Sequence, residues 1–150
     1  MAHPNLAGAQ SYHNAGGMIL RGPGAKTDAF PPADVAVFDA IGRKGELMLP
    51  GYRYLNVAHE LYEVFGGELD WFYAMQGVLT FTNELFTPFN YFRKGAGEGF
   101  FGKREDLHAF DRYLLLGEGF IPWKEVDHPQ YGKVEVGGFR KEWTRQPPSF

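Results

Sequence analysis

Residues 61–85 read LYEVFGGELDWFYAMQGVLTFTNEL, and the change of pattern inside them decides the fold class. Up to Phe65 the apolar residues recur at helical spacing. Val57, Ala58, Leu61, Val64 and Phe65 share one side of a helix predicted over Leu55–Phe65. Gly66-Gly67 ends it, as glycine does at a helix C-terminus. Glu68–Met75 is dense in aromatics and is predicted as a short helix. Gly77–Leu85 alternates β-branched and apolar residues, which is the period of a strand.

Working outward, Leu6–His13 (LAGAQSYH) is small, mildly apolar and uncharged, and is predicted as a buried strand. Asn14-Ala15-Gly16-Gly17 breaks it, Met18-Ile19-Leu20 is a short apolar run, and Arg21–Gly24 is a loop. Pro31 and Pro32 open a helical pattern that carries Val35, Phe38, Ala40 and Ile41. Gly42–Gly51, with Gly45 and Pro50-Gly51, reads mostly as connection. Downstream, Gly95–Gly102 is a glycine-rich loop. Glu105–Leu116 is a helix with a Leu107, Phe110, Leu114, Leu115 stripe, and Val134–Val136 belongs to a late hairpin. The last residues, 146–150, are extended. Strands and helices alternate over the first 85 residues, so the expected class is α/β, a mixed and mostly parallel sheet flanked by helices.

Composition narrows the function classes. At 150 residues one domain is expected. A net charge of −3 gives no electrostatic reason to expect nucleic acid or an anionic membrane as a partner. There is no cysteine, which excludes disulfide frameworks, zinc knuckles and Cys nucleophiles. No run approaches the roughly 18 apolar residues of a membrane span, and Met1–Asn5 does not read as a signal peptide. Aromatics make up 17% of the chain, and Gly and Pro together a fifth, which points to a rigid, loop-rich body.

Several residues could carry chemistry. His13 ends the first predicted strand, at the sheet edge where open α/β sheets bind ligands, and a neutral imidazole is a good zinc ligand. Glu84 ends an otherwise apolar or hydroxylic strand, where a buried carboxylate would suit general acid–base work. Tyr62 precedes a glycine pair and could close over a ligand. Asp70-Trp71 pairs a carboxylate with an indole. Each has a plainer reading alone: a loop histidine, a solvated glutamate, a packed tyrosine, a helix-capping aspartate. His59, Glu60 and Glu63 read as a solvated helix face, and His108-x-x-Asp111 as a surface pair.

In combination, the order His13, Tyr62, Gly66-Gly67, Asp70-Trp71 and Thr82-Asn83-Glu84-Leu85 resembles the last part of the catalytic domain of the M14, carboxypeptidase A-like, zinc carboxypeptidases. The stretch SYHNAGGMILRGPG resembles the segment that bears that family's last zinc ligand. The match runs from about Leu6 to Leu85, and FIPWKEVDHPQYGKVEVGG is similar to the tail of bacterial members. The resemblance implies a partial carboxypeptidase-like fold over 1–150, with about 120–150 as a loop and hairpin tail. It implies His13 as zinc ligand and Glu84 as general base. It implies Tyr62, Leu69 and Asp70 as substrate-binding residues. Leu69 matches the floor of the pocket for the C-terminal side chain and suggests apolar or aromatic preference. It implies a peptide C-terminus as substrate and is compatible with a secreted or periplasmic parent protein.

The family's H-x-x-E ligand pair has no counterpart. The residues three positions after His3, His13, His59, His108 and His128 are Leu6, Gly16, Tyr62, Asp111 and Tyr131. The family's substrate-binding arginines are likewise unmatched, and Asn14-Ala15 stands where Ser-Tyr is often found. The chain alone is therefore expected to be inactive. Missing upstream strands would expose a sheet edge and promote self-association. The alternative function is non-catalytic binding of a peptide or glycan by aromatic residues around Trp71, Phe72, Tyr73 and Tyr91.

Overall fold

The structure is a computed structural model and describes residues 4–85 and 104–140. The chain divides into two compact units, Met1–Leu85 and Phe86–Phe150.

The first unit contains β1 (Gly8–Asn14), β2 (Met18–Arg21), α1 (Pro32–Met48), β3 (Arg53–Asn56), α2 (Val57–Glu60), α3 (Glu68–Gln76) and β4 (Leu79–Leu85). The strands form one sheet in the order β1-β4-β2-β3. β1 runs parallel to β4 and β2 parallel to β3, while β2 and β4 are antiparallel. The architecture is mixed α/β, with a mixed sheet and helices, as the alternating patterns predict.

The buried Met18-Ile19-Leu20 run places β2 inside the sheet. Ile19, Phe38 and Phe81 form the centre of the core, ringed by Phe30, Tyr52, Tyr54, Tyr73 and Leu79. Phe38 meets Phe81 edge-on at 5.2 Å, and Phe30 stacks on Tyr73 at 3.9 Å. Six aromatic residues thus meet in this core, and one of them is Tyr73. Its hydroxyl donates to Asp34 Oδ2 at 2.5 Å. Trp71 and Phe72 touch edge-on and Trp71 is half exposed; Tyr91 lies outside the described residues.

Three local expectations need correction. β1 is an edge strand and mostly exposed, not buried. Small uncharged residues do not distinguish an edge from an interior strand. α1 runs on through Gly42 and Gly45 to Met48. Those glycines are close-approach points: a Cβ at Gly42 would stand 2.2 Å from the Tyr54 ring, and one at Gly45 2.5 Å from Ile19. Finally, the helix predicted over Leu55–Phe65 is a strand end, one helical turn and a loop. Leu55 and Asn56 pair with Leu20 and Arg21 of β2. The Asn56 side chain then accepts from the His59 N–H and caps α2.

Glu63 falls beyond α2 and accepts from the Lys26 N–H at 2.9 Å, so it does not share a helix face with His59. α3 and β4 follow the sequence pattern closely. Gly77, in the left-handed region at φ +64°, closes α3.

The second unit contains α4 (Arg104–Leu114) and the antiparallel hairpin β5 (Phe120–His128) and β6 (Gly132–Phe139). Phe110 and Leu115 of the predicted stripe are buried. Asp111 is buried too, contrary to the surface reading, because its Oδ1 accepts from the Gly119 N–H at 2.7 Å. His108 packs against the rings of Phe120 and Phe139. The H-x-x-D spacing therefore serves a turn and an aromatic contact. The Gly95–Gly102 loop and the extended 146–150 end lie outside the described residues. Among the described residues no helix is long and apolar enough to cross a membrane.

Candidate functional site

The site grows from the register of β1 and β4. Ser11 stands opposite Thr82 and His13 opposite Glu84. Side chains two apart on a strand share a face, so these four form a two-by-two array at the carboxyl ends of two parallel strands. That is where α/β sheets present ligand-binding groups. Leu79, Phe81 and Asn83 face the other way and line a groove with Ile41 of α1 and Leu49 just past its end.

α3 supplies the opposite wall. It starts at Glu68, directly after the Gly66-Gly67 turn, and its first turn carries Glu68, Leu69 and Asp70. Gly66 has φ +70°, a conformation that favours glycine. Together these elements enclose a cavity of about 250 Å³ lined by His13, Tyr62, Glu68, Leu69, Asp70 and Glu84, with Thr82 beside them. The five residues that the resemblance singles out, His13, Tyr62, Leu69, Asp70 and Glu84, all line it.

Their environments differ. The Glu84 side chain is 12% exposed and that of His13 54%. His13 Nδ1 lies 3.6 Å from Glu84 Oε1, and Nε2 lies 3.3 Å from Glu68 Oε1. Leu69 is buried and gives the cavity an apolar floor. Tyr62 sits on the turn leaving α2, anchored by its own N–H to the Val57 carbonyl at 2.9 Å, and the residue is 56% exposed.

Asp70 spends both carboxylate oxygens on one donor, the Gly24 N–H, at 3.0 and 3.1 Å. The Val64 N–H donates to the Gly24 carbonyl. Three segments thus meet at Gly24, where a Cβ would stand 2.4 Å from the Val64 carbonyl oxygen and 2.5 Å from Asp70 Oδ2. Asp70 therefore fixes the cavity wall, and its carboxylate is already engaged with backbone.

Two contributors are missed by sequence reasoning. Glu68 Oε1 accepts from Ser11 Oγ. Thr82 Oγ1 lies 2.8 Å from Ser11 Oγ and 3.2 Å from Glu68 Oε1, so its single proton serves one of them at a time. Ser11 could have been found as the residue two before His13 on a strand. Glu68 carried only the weaker signal of an acid in a helix first turn.

Among the residues lining the cavity there is no Lys or Arg to meet a substrate carboxylate. Among the described residues no group of three His, Asp or Glu side chains is arranged to hold a metal. Catalytic zinc takes three protein ligands. No protein-family model matches the chain, and neither does any curated protein.

Proposed function

We propose that the first unit carries the base-bearing side of a carboxypeptidase site of the M14 type, acting on peptide C-termini. The supporting observation is the convergence of His13, Tyr62, Leu69, Asp70 and Glu84 on one cavity. Glu84, little exposed and beside an imidazole, is suited to take a proton from an attacking water. Leu69 receives an apolar C-terminal side chain, and Tyr62 closes over it from the turn. Asp70 holds the wall through Gly24. His13 offers one neutral nitrogen to zinc, the cofactor of this reading. With no H-x-x-E pair in the sequence, the chain does not turn over by itself.

The test is a ¹H–¹⁵N titration of the full chain with N-acetylated dipeptides ending in Phe or in Lys, at millimolar concentration. The reading expects amide shifts centred on Leu69, Asp70 and Thr82, stronger for the Phe peptide, and retained in Glu84→Gln. No shift at these amides with either peptide would overturn it, as would robust, chelator-sensitive peptide hydrolysis by the chain alone.

A further inference from the structure

His13 has a carboxylate at each ring nitrogen, and the two are not equivalent. Glu68 Oε1 approaches Nε2 at 3.3 Å, and Glu84 Oε1 approaches Nδ1 at 3.6 Å. In a neutral imidazole one nitrogen carries the proton and the other a lone pair. The hydrogen-bond partner of the first decides which is which.

Glu68 makes the nearer of the two contacts, and its surroundings fix its carboxylate beside Nε2. Ser11 Oγ donates to it, and Thr82 Oγ1 lies within donating distance of the same oxygen. These two hydroxyls hold the carboxylate oxygen in a set place on the β1–β4 face. Glu68 also sits in the first turn of α3, where the helix dipole favours negative charge. Ser11 and His13 are two apart on β1, so the hydroxyl that steadies Glu68 and the imidazole that meets it rise from one strand face.

We propose that Glu68 is the positioning residue of the site: it holds the His13 proton on Nε2 and leaves the Nδ1 lone pair facing Glu84. Glu68 acts through His13 and need not touch substrate. The inference builds on the proposed function only in taking His13 as a residue that the site uses. The position of the proton is a separate property of the folded chain.

The experiment reads that proton directly. Long-range ¹H–¹⁵N correlation on the ¹⁵N-labelled full chain, at a pH where imidazole is neutral, reports the tautomer of each histidine. A His13→Asn spectrum assigns the His13 signals. The wild type is expected to be predominantly Nε2–H. Because Nε2–H is also the ordinary preference of a free imidazole, the variants decide. Glu68→Ala leaves Glu84 as the carboxylate beside the ring, and the majority form is expected to switch to Nδ1–H. Glu68→Gln keeps a carbonyl acceptor and is expected to keep Nε2–H, as is Glu84→Gln. Glu68→Asp, which retracts the carboxylate by one methylene, moves the ratio in the direction of Glu68→Ala and serves if the alanine variant does not fold.

An unchanged tautomer in Glu68→Ala or in its Asp stand-in overturns the proposal, as does a wild type with Nδ1–H. Peptide binding separates the two readings. Loss of peptide shifts with the tautomer switch intact sinks only the carboxypeptidase reading. Peptide shifts with an unmoved tautomer sink only the role of Glu68.

Discussion

His13 and Glu84 face each other across the β1–β4 pair with Nδ1 3.6 Å from Oε1, although 70 residues lie between them in the chain. The parallel register creates this meeting, and on it rests the chemistry proposed for the cavity. One imidazole beside carboxylates is a weak hold on a metal, since catalytic zinc takes three protein ligands. The purified, dialysed chain is expected to retain far less than one zinc per copy by elemental analysis. Near-stoichiometric zinc would mean that further ligands complete the site, and would contradict the expectation that the chain is inactive alone.

Asp70 should matter to stability before it matters to any ligand. Its carboxylate accepts the Gly24 N–H with both oxygens and ties the loop after β2 to α3. Asp70→Ala leaves that donor unpaired, at a cost of about 1–3 kcal/mol. Asp70→Asn keeps one acceptor and should lose less. Urea unfolding midpoints of the two variants give the comparison; equal midpoints for wild type and Asp70→Ala would remove the clamp from the account.

The two glycines of α1 should respond differently to alanine. At Gly42 the new methyl meets the Tyr54 ring, which Asp39 holds by a 2.8 Å hydrogen bond to its hydroxyl. Overpacking of this kind costs about 1–3 kcal/mol, against roughly 1 kcal/mol gained in helix propensity. A net loss is expected. At Gly45 the neighbour is the flexible tip of Ile19, which can rotate away, so Gly45→Ala should be near neutral or stabilising. Thermal melts of both variants measure the difference.

Tyr54 and Tyr73 make the fold sensitive to alkali. Burial, reinforced by the hydrogen bond to Asp39, pushes the Tyr54 phenol well above the usual value of 10.0. Burial and the Asp34 hydrogen bond push Tyr73 up to about 12. Above pH 10 the folded chain therefore binds more protons than the unfolded one, and stability falls with pH. It is fully present below pH 10 and drains away through pH 12. Melting temperatures at pH 9 and pH 11 should show this drop, and Tyr54→Phe and Tyr73→Phe should each flatten it.

β1 forms one edge of its sheet, with β4 as its neighbour, and Gly8–Asn14 contains neither Lys nor Pro to blunt that edge. Self-association is expected. Light scattering across a concentration series should show a rising mass; a constant monomer mass at high concentration would count against it.

How much of this was legible follows element by element. α3 and β4 were, because glycines bracket ELDWFYAMQ and the period changes to two just after it. β3 was not, since Arg53–Asn56 is too short to show alternation and runs directly into a helical turn. The far end of α1 was hidden because Gly42 and Gly45 look like breaks until the Tyr54 ring and Ile19 are seen against them. His13, Tyr62, Leu69, Asp70 and Glu84 could be picked out along the chain, and the structure lines one cavity with them. What the sequence could not convey was the side-by-side placement of β1 and β4, and with it the carboxylate of Glu68 at the second nitrogen of His13.

β4 serves two tasks by parity. Its odd-numbered residues Leu79, Phe81 and Asn83 belong to the side of α1, and Thr82 and Glu84 to the cavity. A one-residue insertion ahead of Leu79 that kept the strand in place would exchange the two sets, driving an aromatic ring into the cavity and a carboxylate against the helix. Core and site are therefore gained or lost in the same event, and no gradual slide of the strand can trade one for the other. The turn that carries Tyr62 obeys no such alternation; the Val57 carbonyl before it and the Val64–Gly24 hydrogen bond after it set its place instead.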